Sequence, residues 1–404
     1  MLKICHPSSP FTLILVCLLC LHLSFSQDQR TDSLKNIEID YGKKGFEFKT
    51  VNNKFLLQIQ GRLQFRFATP SDQDPIEFTD YDQDRTSVFK INRARLKVGG
   101  HAYKPWLKYY WEYDLANSNL LDFRLMIEKW EWLSFKIGQW KLEYSRERRI
   151  SSGEQQLVDR SIINRPFTLD RQQGVEVYGH IDEGGMLNFN YWAAAVTGTG
   201  RGNFENDDRH LMYFGRLQWN FLGEELGFDA SDLEIHDKAA GIIAVSAATN
   251  KSPFTRFSTS GGGSLIGFED GADGQYRTNQ ANLETAFMYK GFSWQQEFHQ
   301  KEIVDTLNNN EQTQLLGYYL QAGYFFHQSF SWWPEPLELT ARYAGYRPNK
   351  SLDTLQEEKS LNLNWFFNGH KNKLSMEISN FDAEYVDGQT ADQWRFRVQW
   401  DISF

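Results

Sequence analysis

The run FLLQIQGRLQFRFAT at residues 55–69 alternates without a slip from Leu57 onward. Leu57, Ile59, Gly61, Leu63, Phe65 and Phe67 fall on one side; Gln58, Gln60, Arg62, Gln64 and Arg66 fall on the other. A strict period of two means a β-strand with one apolar and one polar face. The last thirteen residues, DQWRFRVQWDISF, repeat the pattern, with Trp394, Phe396, Val398, Trp400, Ile402 and Phe404 on the apolar side. A soluble sheet buries such a face in a core. A membrane barrel turns it to lipid and leaves the polar face to a water-filled lumen.

The rest of the chain favours the second solution. Sixteen segments carry strand patterning, at about 55–69, 88–102, 105–117, 119–130, 131–141, 173–181, 186–197, 210–222, 239–249, 279–289, 291–302, 313–327, 335–347, 359–368, 371–382 and 392–404. Many are near the roughly 9–11 residues that a tilted strand needs to cross a bilayer. Their connections alternate in length. Tight turns at Tyr103-Lys104, Trp130-Glu131, Lys290 and Gly369-His370 lie on one side, and long loops at 70–87, 142–172 and 250–278 on the other. An even strand count puts both termini on the short-turn side. Tryptophans cluster at the rims, among them Trp130, Trp132, Trp219, Trp332, Trp333, Trp394 and Trp400, as an interfacial girdle requires. The mean hydropathy of −0.57 does not conflict with this, because half of every spanning strand is polar. The expected fold is all-β: a sixteen-stranded antiparallel transmembrane β-barrel over 54–404, with long extracellular loops and short periplasmic turns.

Residues 1–26 read as a secretory signal peptide. Lys3 supplies the positive region, 11–23 the apolar one, and Ser24-Phe25-Ser26 a small-x-small cleavage site. Residues 27–53 are expected to form a short periplasmic segment. All three cysteines, Cys5, Cys17 and Cys20, lie in the leader, so the mature chain forms no disulfides although it is exported. Closure of a barrel then has to supply the stability, since every strand finds two partners.

With apolar residues facing lipid, the other face of each strand lines the lumen, and there the cations concentrate. Arg62 and Arg66 point inward on the first strand, and Arg93, Arg95 and Lys97 on the second. Lys108 on the third, Arg124 on the fourth and Lys136 on the fifth extend the same wall; Leu121, Phe123, Leu125 and Ile127 of the fourth are assigned to lipid. The 142–172 connection adds Arg146, Arg148 and Arg149, with Arg160, Arg165 and Arg171 further along. A loop of that length in a compact barrel is a functional element or disordered, and folded into a wide barrel it narrows the bore. Between Lys54 and Arg171 stand 20 basic and 16 acidic residues; the rest of the chain beyond residue 26 carries 22 basic and 36 acidic. A chain of net charge −9 has therefore gathered its cations in one quarter. A wall of guanidinium groups in a confined aqueous pore admits anions and excludes cations, and Arg offers fork-shaped donors suited to phosphate or carboxylate. The bland reading of the same residues is that they pair with lumenal acids such as Glu112, Asp122 and Glu128.

At this point several runs bear on the family. FKINRARLKVGGHAYKPWLKYYWEYDLANSNLLDFRLMIEKW, FKIGQWKLEYSRERR, DRQQGVEVYGHI and the entry YGKKGFEFKTVNNKFLLQIQGRLQF resemble the phosphate-selective porin O and P family, over about 41–181. Beyond that stretch the strand spacing and the Phe404 ending fit it. The resemblance implies a homotrimeric sixteen-stranded channel in the outer membrane of a Gram-negative bacterium. It also implies a pore narrowed by an arginine ladder and by an inward-folded third extracellular loop. Arg62, Arg93, Arg95 and Arg124 suit the ladder; Arg146, Arg148 and Arg149 suit the loop.

Other chemistries find little support. The overall negative charge argues against nucleic acid as a partner. Asp80, Asp82 and Asp84 lack the glycine and the twelfth-position glutamate of a calcium loop. The histidines show no metal spacing, no nucleophile motif or phosphate loop is present, and neither an enzyme nor a cofactor is expected. The reading is a passive channel for small anions, phosphate or polyphosphate, surrounded by outer-membrane lipid. A general or sugar-type porin and a surface-exposed binding protein or adhesin are the alternatives.

Overall fold

The computed structural model describes residues 36–75, 86–201, 205–258, 263–351, 354–384 and 388–404. The leader and its cleavage site lie outside them, as do Asp80, Asp82 and Asp84. Sixteen antiparallel strands close into one barrel. In order they are β3 (Phe55–Thr69), β4 (Val88–Ala102), β5 (Leu107–Asp114), β6 (Asn119–Trp130), β7 (Leu133–Lys141), β8 (Arg171–Asp182), β9 (Asn188–Val196) and β10 (Met212–Trp219). The circuit continues with β11 (Ala240–Ser252), β12 (Tyr276–Tyr289), β13 (Phe292–Asp305), β14 (Glu311–Tyr324), β15 (Leu337–Arg347), β16 (Gln356–Asn368), β17 (Asn372–Glu384) and β18 (Thr390–Ser403). Each pairs with its sequence neighbour, and β18 closes on β3 with Phe396 opposite Thr69 and Ser403 opposite Arg62. Every segment read from the alternation is a strand of this barrel.

The barrel is inside out relative to a soluble protein. Phe89, Ile91, Phe123, Leu125, Ile137, Val175, Trp394 and Phe396 are exposed on its outer surface, while Arg62, Gln64, Arg66, Glu112, Asp122, Arg397 and Asp401 are buried within it. That is the assignment the alternation requires if lipid is the outer solvent. One residue departs from the sequence reading. Leu121 is buried, because the β5–β6 register slips between Glu112 and Tyr113; Leu120 takes the outward place instead. A second bulge falls at Asn92, where Gln64 faces Arg93 and Phe65 faces Ile91. It explains why the outward set of β4 changes phase from Phe89 and Ile91 to Ala94, Leu96 and Val98.

Ahead of the barrel, β1 (Ile37–Gly42) and β2 (Gly45–Thr50) form a hairpin, and β2 pairs with the start of β3 through Phe46 opposite Ile59. The hairpin takes over the edge of β3 where β18 ends. At the junction Gly61 and Phe404 exchange two backbone hydrogen bonds, of 2.7 and 3.0 Å. The Phe404 ring lies 2.6 Å from where a Cβ on Gly61 would sit, so a side chain there would have to push the ring aside.

Candidate functional site

The lumen is not an open bore. The 142–170 connection enters it, carrying two short helical turns, α1 (Arg146–Arg149) and α2 (Asn164–Phe167). Ser145 caps α1 by accepting from the Arg148 amide. Elsewhere the loop has little regular structure, and its backbone groups need other partners. The lumenal face of the barrel provides them. Carboxylates on three strands accept from loop amides: Glu297 from Glu147 (2.7 Å), Glu377 from Val158 (2.8 Å) and Glu358 from Ile162 (2.9 Å). Lumenal donors bind loop carbonyls in turn. Asn362 and Asn364 both reach the Gln156 oxygen at 2.7 Å, Lys373 reaches Gln155 at 2.6 Å, and Arg342 reaches Asp159 at 2.9 Å.

Apolar contacts decide which side of the lumen the loop fills. Leu142, Tyr144 and Leu169 pack with Ala194, Val196, Met212, Phe214, Ala248 and Phe257. Ile163 and Phe167 pack with Leu265, Tyr276, Ile303, Leu315, Tyr319, Ala344 and Tyr346. These partners belong to β9–β15 and the loop beside them, so that half of the bore is sealed.

On the opposite side, toward β4–β8, a cavity of about 400 Å³ remains. Its lining includes Lys90, Arg93 and Arg95 of β4, Lys141 and Arg171 at the two roots of the loop, Arg148 and Arg160 within it, and Arg201; Asp114 and Asp170 are the carboxylates. Two of these cations are held without using a carboxylate. Lys141 donates to the carbonyls of Arg148 (3.1 Å), Arg149 (3.3 Å) and Ile150 (3.4 Å), and Arg160 donates to those of Glu147 (3.0 Å) and Ile150 (2.9 Å). They satisfy the orphan carbonyls at the end of α1. Burial and the neighbouring charge of Arg148 bring the Arg160 guanidinium down to about 9, which still leaves it protonated at neutral pH. Burial pushes the Asp170 carboxyl up, but Arg148 and Arg171 outweigh it and hold the group ionised.

The candidate residues read from the sequence all lie on the lumenal side, but not in one place. Arg93, Arg95 and Arg148 line the cavity. Arg95 is paired with Glu112 at 2.8 Å, Arg148 with Asp170 at 2.6 Å, and Arg93 stands 3.8 Å from Asp159. Lys97 shares the face of Arg93 and Arg95 on β4. Arg62 and Arg66 are tied down elsewhere, to Asp401 (3.0 Å) and to Asp72 and Asp159 (both 3.1 Å). Deeper toward the turn side, Arg124 pairs with Asp122 at 2.8 Å, Lys108 with Glu128, Lys136 with Glu143 (3.1 Å) and Glu176 (2.5 Å), and Arg149 with Glu143 (3.2 Å). Arg146 is buried, 3.8 Å from Glu284, and its Nη2 donates to the carbonyls of Gly227 and Asp229. Pairing with Glu112, Asp122 and Glu128 is thus realised for Arg95, Arg124, Lys108 and Arg171.

Lys90, Lys141 and Arg201 belong to the cavity without being read from the sequence, and Arg160 and Arg171, read there only as further cations of the connection, belong to it too. Lys141 and Arg171 face each other across the β7–β8 pair, so the tight flanking of the loop by two cations was the available signal. Lys90 faces inward only because of the phase change at Asn92. Nothing in the spacing marks Arg201.

Residues 60–399 match the family described as phosphate-selective porin O and P. The chain belongs to that family. Solved structures agree on the fold of this porin. The outer-membrane channel DcaP of Acinetobacter baumannii superposes with a TM-score of 0.55 at 12% identity, over 88% of this chain and 99% of that one. A loop-deleted OmpT of Vibrio cholerae gives 0.53 at 11%, over 87% and 100%, and OprB of Pseudomonas putida gives 0.52 at 9%, over 86% and 94%. No curated protein matches the porin in sequence. Family and fold point to a channel in an outer membrane and away from catalysis.

Proposed function

We propose that this porin passes small anions, phosphate or polyphosphate, down their gradient. The observation that carries the reading is the lining of the 400 Å³ cavity, where eight basic side chains stand with two carboxylates, although Asp72, Asp159, Glu112 and Asp122 pair with Lys90, Arg93, Arg95 and Arg171 from outside the lining. Such an excess in a confined aqueous space lowers the barrier for anions and raises it for cations. Guanidinium groups present the paired donors that a phosphate oxygen edge accepts. The loop at 142–170 is the constriction, Arg62, Arg66, Arg93, Arg95, Lys97, Lys108, Arg124, Lys136, Arg146, Arg148 and Arg149 make up the basic path with the cavity residues, and the family resemblance supports a homotrimer exported by a cleaved 1–26 leader.

The test is reversal potential across planar bilayers in a salt gradient at neutral pH. The expected sign is that of anion flux. Replacing Lys90, Arg93 and Arg95 together by Gln should move it toward zero and weaken block of chloride current by phosphate. A wild-type preference for cations would reject the reading, and no preference at all would leave a general porin.

A further inference from the structure

Connections on the turn side are short among the described residues except for 325–336, between β14 and β15, and the longer 220–239, between β10 and β11. The 220–239 segment turns up into the lumen. Leu226, Ala230 and Asp232 are buried, Leu226 against Ala240, Ile242, Ala244, Ala286 and Met288. Those five point to the lumen from β11 and β12. Further along the same faces most lumenal residues are polar, Ser246, Asn250, Asn282 and Glu284, with Ala248 between them under the 142–170 loop. The wall is apolar where the segment covers it, as it is again where the 142–170 loop packs, and polar between. Polar contacts fix the rest. The Asp232 carboxylate accepts from the Gly291 amide at 2.7 Å, and Ser231 donates to Glu338 at 2.9 Å.

The tip of the segment meets the loop that enters from the other side. Arg146 Nη2 donates to Gly227 O at 2.6 Å and to Asp229 O at 2.8 Å. The ring of Phe228 lies 5.3 Å from the guanidinium of Arg149 and 5.3 Å from that of Arg216, within reach of cation–π attraction. Loop and segment are therefore joined through cations of the loop.

We propose that 220–239 is a turn-side plug which, latched by Arg146 to the 142–170 loop, seals the β9–β15 half of the lumen together with that loop and so shares in setting the size limit of the channel. This rests on the channel reading. Without the segment, the turn-side mouth of that half widens as far as the 142–170 loop, and the loop loses the partners of Arg146.

The experiment replaces 222–238 by an Asn-Gly turn and checks insertion by heat-modifiable mobility. Single-channel conductance is then measured, with liposome swelling in neutral mono-, di- and trisaccharides, whose lack of charge separates size from selectivity. Conductance should rise about two-fold or more, with trisaccharide entry gained. Unchanged conductance and unchanged sugar entry overturn the plug. If the shortened chain does not insert, the same measurements are made on Leu226→Ala/Phe228→Ala; brief openings to a higher level support the proposal and identical traces overturn it. A wild-type barrel that forms no pore fails the channel reading instead.

Discussion

Arg62 and Asp401 meet at 3.0 Å across the seam where the first and last barrel strands join, with Gln64 donating to the same carboxylate and both charged side chains almost wholly buried. Their strands are separated by nearly the whole sequence, so this pair fastens the closure. Asp401→Ala should cost about 3 kcal/mol or more, because it leaves a buried guanidinium without its counter-charge. The measurement is the temperature at which the folded band converts to the unfolded one in detergent. Asp401→Asn, which keeps an acceptor for Gln64, should fall between.

Asp170 subtracts charge from the cavity through Arg148 (2.6 Å) and Arg171 (3.5 Å). Asp170→Asn should raise the anion-to-cation permeability ratio, roughly two-fold for one unscreened charge in a confined pore. Since the carboxyl stays ionised far below neutrality, acidification from pH 7 to pH 5 should not reproduce the effect in the wild type.

Glu147 introduces a pH dependence into the loop. Burial raises its carboxyl to about 7, with Glu297 adding to the rise and Arg342 opposing it. The folded value lies above the ordinary 4.5, so the docked loop favours the protonated form. That contribution is complete below about pH 4.5 and is lost as pH rises through about 7. Current noise from loop motion should therefore grow between pH 5 and pH 8. Glu147→Gln, which keeps the shape without the titration, should flatten the trend; a trend of equal slope in the variant would reject it.

Gly138 sits at φ +127°, and a Cβ there would lie 2.1 Å from the Phe123 carbonyl oxygen of the paired strand. Gly138→Ala should reduce the yield of folded barrel and lower its thermal transition. Gly215→Ala, which meets only the Trp192 carbonyl at 4.0 Å and needs no special backbone angle, should be close to neutral.

The barrel was legible because lipid and water impose opposite demands on alternate residues, and sixteen stretches obey them. What escaped reading was whatever did not depend on that period. The hairpin Ile37–Thr50 alternates too, yet nothing local says that it continues β3 past Phe404. Leu121 was assigned to lipid because a bulge leaves no trace in composition. The 239–249 stretch is apolar on both faces near Ala240, Ile242 and Ala244, and that was the available trace of the segment covering it. For the site, inward orientation of the cations followed from spacing, but their partners did not. Arg95 with Glu112 is a cross-strand neighbourhood, whereas Arg62 with Asp401 and Arg146 with Gly227 depend on closure and on two loops entering from opposite ends.

The pairing of lumenal guanidiniums with carboxylates anchored on neighbouring strands has a consequence for throughput. On the proposed anion reading, a solute that binds Arg95 or Arg148 would not fall into a bare positive well; it would displace Glu112 or Asp170, and the displaced group would return when the solute moved on. Such a wall would work as an ion-exchange resin whose counter-ions are tethered to the bed, the balance of entry and release that conduction requires.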